Sequence, residues 1–198
     1  LTYCNGTASL LAALYGAGVG RGDEVIAPSL TYWASVMGVY NLGATVVFAD
    51  IEPMSVCIDP RDIEHRITPR TKAIMVVHYC GHPCDMDPIM AIAERHGLKV
   101  IEDNSHAHGS TYKGRMTGSI GHVSGMSMMA GKSFPVGEGG MLCTHDREIY
   151  ERALSFSHYE RINGGVTIPA IQALQSSGPR FRSGLPLGGV KGRINQTG

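Results

Sequence analysis

An α/β fold with a mostly parallel central sheet flanked by helices is what this sequence predicts, on three observations. Strand-like and helix-like runs alternate about four times, the rhythm of strand–helix–strand units with right-handed crossovers. The run Ala73-Ile-Met-Val-Val77 is apolar throughout, as a strand covered on both faces must be. The 198 residues include 26 glycines, as expected where tight turns join strands to helices, and that length can bury a sizeable core.

Taken in order, Asn5-Gly6-Thr7 ahead of Ala8-Ser-Leu-Leu-Ala-Ala-Leu14 reads as a polar-capped helix stopped by Gly16 and Gly18. Gly22-Asp23 turns into a strand over Glu24 to Ala27, and Pro28-Ser-Leu-Thr31 opens a helix from Tyr32 to Asn41. Thr45 to Ala49 is rich in β-formers and closes at Asp50, and Pro60 to Arg66 is a short helical pattern. Asp85 to His96 is amphipathic, with Met86, Ile89, Met90, Ile92 and Ala93 as its apolar set and Gly97 as its stop. Lys99 to Asp103, Val123 to Met128 and Gly140 to Thr144 read as strands, and Asp146 to about Phe156 as a helix. From Ser157 onward the periodicity breaks down. Gly164-Gly165, Gly178-Pro179 and Gly188-Gly189 punctuate a stretch carrying Arg180, Arg182, Lys191 and Arg193. Residues 1–156 are therefore expected to form the main unit and 157–198 a loop-rich segment. The sequence starts without methionine and stops within a polar stretch, so a piece of a longer protein is expected.

Lysine plus arginine and aspartate plus glutamate number 17 each, for zero formal charge. Neither a basic field for nucleic acid nor an acidic tail follows from that balance. The longest apolar runs fall far short of a bilayer span. Five cysteines without regular spacing argue against a disulfide framework and fit a reducing cytoplasm.

Chemistry concentrates in Gly125-Met-Ser-Met-Met-Ala-Gly-Lys-Ser-Phe-Pro-Val-Gly-Glu-Gly-Gly140. Lys132 stands there among glycines and apolar residues. A lysine in such a place ordinarily keeps its head in water, but one with a lowered pKa attacks carbonyls and forms Schiff bases. Ligands in α/β sheets bind beyond the carboxyl ends of strands. Asp103, His78, Asp50 and the Pro28–Tyr32 corner are all expected at that edge. Asp103 with Lys132 is the pair that pyridoxal phosphate requires: a carboxylate for the ring nitrogen and an amine for the aldehyde. Ser127 and the Gly6-Thr7 helix start are candidates for its phosphate. Tyr32 or Trp33 can lie against a flat ring, or be core. His78-Tyr-Cys80-Gly-His82-Pro-Cys84 has metal-ligand residue types without the usual zinc spacing, and reads otherwise as a strand end and turn. His106-Ala-His108 offers metal ligands or partners for a bound ligand. No Gly-x-Ser-x-Gly elbow supports a serine hydrolase, and no Gly-x-Gly-x-x-Gly supports a dinucleotide site.

In their order, Asn5-Gly-Thr-Ala-Ser-Leu10, Gly22-Asp-Glu-Val-Ile-Ala-Pro-Ser29, Ile67-Thr-Pro-Arg-Thr-Lys-Ala-Ile74, Val77-His-Tyr-Cys-Gly-His-Pro-Cys-Asp-Met86, Ile101-Glu-Asp103, Ser127 to Lys132 and Gly137-Glu-Gly-Gly140 resemble the DegT/DnrJ/EryC1/StrS family of sugar aminotransferases. The resemblance runs from Thr2 to Phe156. It implies the large domain of a fold type I pyridoxal phosphate enzyme, lacking the small C-terminal domain. It implies that Lys132 joins the cofactor aldehyde and moves the substrate proton, and that Asp103 pairs with the ring nitrogen. His106 falls near the ring hydroxyl and Tyr32 on the ring face. Gly6, Thr7 and Ser127 hold the phosphate, and Lys191 stands where the family often has an asparagine reaching the neighbouring subunit's phosphate. The implied reaction moves an amino group, typically from glutamate, to a keto sugar carried on a nucleotide, or to a related cyclitol ketone, in a homodimer. Family relatives that replace the lysine with histidine are dehydratases, and Lys132 argues against that branch. A relative that keeps the fold as a regulator or scaffold is the alternative.

Overall fold

The computed structural model describes residues 1–157. Nine strands and five helices lie in the described part: β1 (Thr2–Tyr3), α1 (Gly6–Gly16), β2 (Glu24–Pro28), α2 (Ala34–Asn41), β3 (Thr45–Ala49), α3 (Pro60–Arg66), β4 (Thr71–Val77), α4 (Met86–His96), β5 (Lys99–Asp103), β6 (Thr111–Tyr112), β7 (Arg115–Met116), β8 (Val123–Ser127), β9 (Gly140–Cys143) and α5 (Arg147–Ser157). Seven strands form one sheet in the order β1-β9-β8-β5-β4-β2-β3. The pairings β2–β3, β2–β4, β4–β5 and β5–β8 are parallel, while β8–β9 and β1–β9 are antiparallel. The expected mostly parallel sheet is therefore present, with an antiparallel flank at one side.

Side-chain alternation along β4 shows how the layers are built. Ala73, Met75 and Val77 face the core shared with Leu10 and Leu14 of α1, Val36 and Val39 of α2, and Ile149 and Phe156 of α5. Ile74 and Val76 face the opposite core, with Ile63 of α3 and Met86, Ile89 and Ile92 of α4. Successive strand residues point to opposite faces, so a run apolar at every position is what two covered faces demand. Each of the larger of these side chains, removed from water, contributes roughly 1.5–3 kcal/mol of transfer free energy.

The same alternation separates two neighbouring acids at the end of β5. Ile101 belongs to the α1 side and Val100 to the α4 side, so Asp103 faces α1 and α2 while Glu102 faces the α4 layer. The sheet reverses its direction of growth between β2 and β4, since β3 lies beyond β2 and β5 beyond β4. A crevice at the carboxyl ends of the strands is expected at such a point.

Helix boundaries follow local chemistry. Asn5 caps α1 by accepting from the Ala8 amide at 2.9 Å, and Gly97, at φ 66°, ends α4 in the left-handed conformation. α2 starts at Ala34 rather than at Tyr32, because the chain after Pro28 bends before it coils and leaves Tyr32 and Trp33 outside the helix. The β6–β7 hairpin was not foreseen. Its turn is Lys113-Gly114, both with positive φ, the type I′ geometry usually signalled by Asn-Gly or Asp-Gly. No helix among the described residues is long and apolar enough to cross a membrane.

Candidate active site

A cavity of about 650 Å³ opens at the crevice. Val77, Asp103 and Gly125 stand side by side in register across β4, β5 and β8, so the loops leaving these strands form its floor. Gly6, Thr7, Tyr32, Asp103, His106, Ser127 and Lys132 all line it. The cavity thus gathers every residue that the family resemblance implies for the cofactor except Lys191, which lies outside the described residues. It does not gather His78 or Asp50, which were expected at the same edge. His78 is fully buried on the far side of the sheet and Asp50 is exposed near α3.

One wall is the start of α1. Asn5 satisfies the Ala8 amide and Asn5 O accepts from Ser9 N at 3.2 Å, but among the described residues no acceptor meets the amides of Gly6 and Thr7. Free first-turn amides and the positive end of the helix favour an anion. Backbone packing holds that helix end against β8 and β9. A Cβ on Gly6 would fall 2.5 Å from Ser127 Cβ, and one on Gly140 would fall 2.1 Å from Asn5 O. The Gly-Glu-Gly-Gly turn is thereby explained: Gly140 must be glycine for the loop to pass beneath the helix start.

Asp103 forms the floor. It is 5% exposed, and its carboxylate accepts from Ser35 Oγ at 2.7 Å and from the Ser105 amide at 3.0 Å. Ser105 also accepts from the Ser127 amide at 3.0 Å, so one small side chain ties the acidic floor to the anion wall. Lys132 is half-buried in the loop after β8, where its amide donates to Met129 O at 2.9 Å. His106 stands edge-on to Tyr79 with ring centres 6.0 Å apart. Burial, and then the positive charge of Lys132, push its basicity below that of an ordinary histidine, against a smaller opposing pull from Asp103. Tyr32 is 61% exposed at the mouth and tilted against Trp33, with centres 5.3 Å apart.

The segment from His78 to Cys84 is a strand end and turn, and its side chains diverge. His78 Nδ1 accepts from the Cys84 amide at 3.1 Å, and Nε2 lies 2.9 Å from Glu102. The Cys84 thiol donates to Val77 O at 3.2 Å, while Cys80 and His82 are exposed. No group of three or more His, Cys, Asp or Glu side chains among the described residues is arranged to hold a metal ion. Three participants escaped the sequence reading: Ser35, Thr31 and Ser105. Thr31 and Ser35, beside a helix start, read as ordinary caps, and nothing in the sequence ties Ser35 to a carboxylate 68 residues away; Ser105 carries no motif of its own.

Comparison with known proteins gives a consistent picture. The family model described as the DegT/DnrJ/EryC1/StrS aminotransferase family matches residues 1–166. GDP-perosamine synthase of Escherichia coli O157:H7 is 46% identical over 155 residues, which are 78% of this chain and 43% of that protein. L-glutamine:2-deoxy-scyllo-inosose aminotransferase of Streptoalloteichus tenebrarius is 46% identical over 148 residues, 75% of this chain and 35% of that protein. An aminotransferase from Psychrobacter cryohalolentis superimposes with a TM-score of 0.79 at 41% identity, covering 85% of this chain and 44% of its own. The chain thus spans less than half the length of these relatives.

Proposed function

The chain belongs to the DegT/DnrJ/EryC1/StrS aminotransferase family, and from that membership we propose that it is the cofactor-binding part of a pyridoxal phosphate-dependent aminotransferase. The acceptor is a keto sugar, nucleotide-linked, or a related cyclitol ketone, and the donor is glutamate. The observation that carries this reading is that Lys132, Asp103 and an α1 end with unmet amides line a single cavity. The residues suit pyridoxal phosphate on chemical grounds. The free amides of Gly6 and Thr7, with the Ser127 hydroxyl, suit a phosphate dianion. Asp103 has one donor on each carboxylate oxygen and keeps lone pairs for a protonated ring nitrogen.

When bound, pyridoxal phosphate supplies an electron sink for charge developing at the substrate carbon. The chain's own groups do the rest. Lys132 Nζ would hold the cofactor aldehyde and would be the base placed to take and return the substrate proton. Asp103 would keep a proton on the ring nitrogen. Tyr32 would cover the ring face, and His106 would serve the ring hydroxyl. Lys191 would serve the phosphate of a neighbouring subunit in a homodimer. Residues 1–156 form the cofactor-binding unit and 157–198 lead toward a substrate-binding part, in a cytoplasmic enzyme.

After unbound pyridoxal phosphate is removed, the purified protein should keep a visible cofactor band, and Lys132→Ala should lose it. Amine transfer is then assayed with glutamate, and with the glutamine that the cyclitol relative carries in its name, against keto sugars and keto cyclitols. A protein that retains no cofactor band once the unbound cofactor has been removed refutes the proposal.

A further inference from the structure

Asp103 is held by two donors, and one comes from a helix that the proposed chemistry does not otherwise use. Ser35 lies in the first turn of α2, 1% exposed, and its hydroxyl donates to Asp103 Oδ2 at 2.7 Å. A serine hydroxyl has one hydrogen to give. The 2.7 Å contact between the Ser35 and Thr31 hydroxyls must then be donated by Thr31, whose other acceptor, Tyr32 O, is much farther at 3.4 Å. The result is a directed chain running from Thr31 O–H through Ser35 O–H to the Asp103 carboxylate. Neither hydroxyl caps the helix, because the cap position of α2 is Trp33, which makes no side-chain capping bond. Thr31 and Ser35 both line the cavity, with Tyr32 between them in sequence.

The chain has a geometric consequence. The last torsion of an aspartate is broad and weakly defined by its own chemistry. Here the Ser105 amide grips Oδ1 from the loop after β5, and Ser35 grips Oδ2 from α2. Rotating the carboxylate breaks one bond or the other. Hydrogen bonds in such a series also polarise one another, so Thr31 strengthens the grip of Ser35.

We propose that Ser35, backed by Thr31, is a positioning residue that fixes the plane of the Asp103 carboxylate toward a protonated heterocyclic nitrogen in the cavity. This rests on the role given to Asp103 above. The test measures binding of pyridoxal phosphate and of its analogue with carbon in place of the ring nitrogen, to wild type and to Ser35→Ala, Ser35→Thr and Thr31→Val. The ratio of the two affinities isolates the Asp103 contact, because phosphate and aldehyde contacts cancel. Wild type should prefer the natural cofactor. Ser35→Ala should lose about tenfold of that preference, the scale of one charge-assisted hydrogen bond, while binding the analogue as wild type does. Ser35→Thr should restore the ratio, and Thr31→Val should lower it about two- to threefold through the weakened series. A Ser35→Ala ratio equal to wild type overturns the inference and leaves the Asp103 role standing. Should Ser35→Ala not fold, an unchanged ratio in Thr31→Val overturns it equally. A wild type without preference between the two ligands refutes the Asp103 role itself, and this inference with it.

Discussion

Replacing Glu102 with glutamine should cost this fold about 4 kcal/mol, far more than an isosteric change ordinarily costs. Glu102 is fully buried, and four donors converge on its carboxylate. Oε1 accepts from the amides of Ile120 at 2.8 Å and Gly121 at 2.6 Å. Oε2 accepts from the Gly118 amide at 2.7 Å and from His78 Nε2 at 2.9 Å. The histidine must donate there, because its Nδ1 already accepts from the Cys84 amide. A glutamine side chain keeps one acceptor oxygen and presents an NH2 where the other was. Placed over Oε2, that NH2 faces the Gly118 N–H and the His78 N–H; placed over Oε1, it faces two backbone amides. Either way two buried donors lose their acceptor, at roughly 1–3 kcal/mol each. At about 2–4 °C per kcal/mol for a chain of this size, the melting temperature should fall by about 10 °C. The pH dependence adds a second signature. Burial pushes the Glu102 carboxyl up, but His78 and the amides of Gly121 and Gly118 outweigh it and hold it below the ordinary glutamate value. The folded pKa is thus below the unfolded one. The stabilisation is complete above the unfolded value, about 4.3, and is lost as pH falls through the folded one. Urea unfolding of wild type and Glu102→Gln should show the gap between them at pH 7 and its narrowing below about pH 4. A gap under about 1 kcal/mol at pH 7, or one that does not narrow in acid, would refute the reasoning.

Gly140→Ala sets a Cβ 2.1 Å from Asn5 O, backbone against backbone, and should lower stability by about 3 kcal/mol or more, read as a fall in melting temperature or loss of soluble protein. Gly6→Ala meets Ser127 at 2.5 Å and should push α1 off the anion wall, weakening phosphate or cofactor binding by about tenfold or more; titration calorimetry measures it. Followed by NMR, the His106 ring should titrate below the usual histidine range. Its midpoint should rise in Lys132→Met, since the lysine charge is one of the two causes depressing it. Thiol labelling of the native protein should reach Cys80, which is exposed, well before Cys57 and Cys84, which are buried.

Much of the fold was legible because the core imposes its period on the sequence. The continuous apolar run of β4 and the amphipathic stripe of α4 each bury against layers that a single residue's shift would expose. β1 and the β6–β7 hairpin were not legible. Each has two-residue strands, too short for any periodicity, and the hairpin turn uses lysine where asparagine or aspartate is the usual sign. Seven cavity residues were legible through strand-end placement, residue chemistry and the family pattern together. Ser35 and Thr31 were not, because their partner lies on another element.

The pair Glu102-Asp103 shows why composition alone does not separate framework from chemistry. Both are buried acids on one strand, adjacent and equally polar. What separates them is the number of donors that meet each. Glu102 has every strong acceptor position engaged by its own fold, so a ligand would have to displace a structural bond to reach it. It stitches the 118–121 turn and His78 to β5, which fixes the strand end from which Asp103 projects. Asp103 has only Ser35 and the Ser105 amide, and its open lone pairs face a cavity. A buried carboxylate left under-satisfied by its own fold invites a donor from outside. The saturated acid on one face therefore holds in register the unsaturated acid on the other, and the strand's alternation places a framework group and a binding group one residue apart.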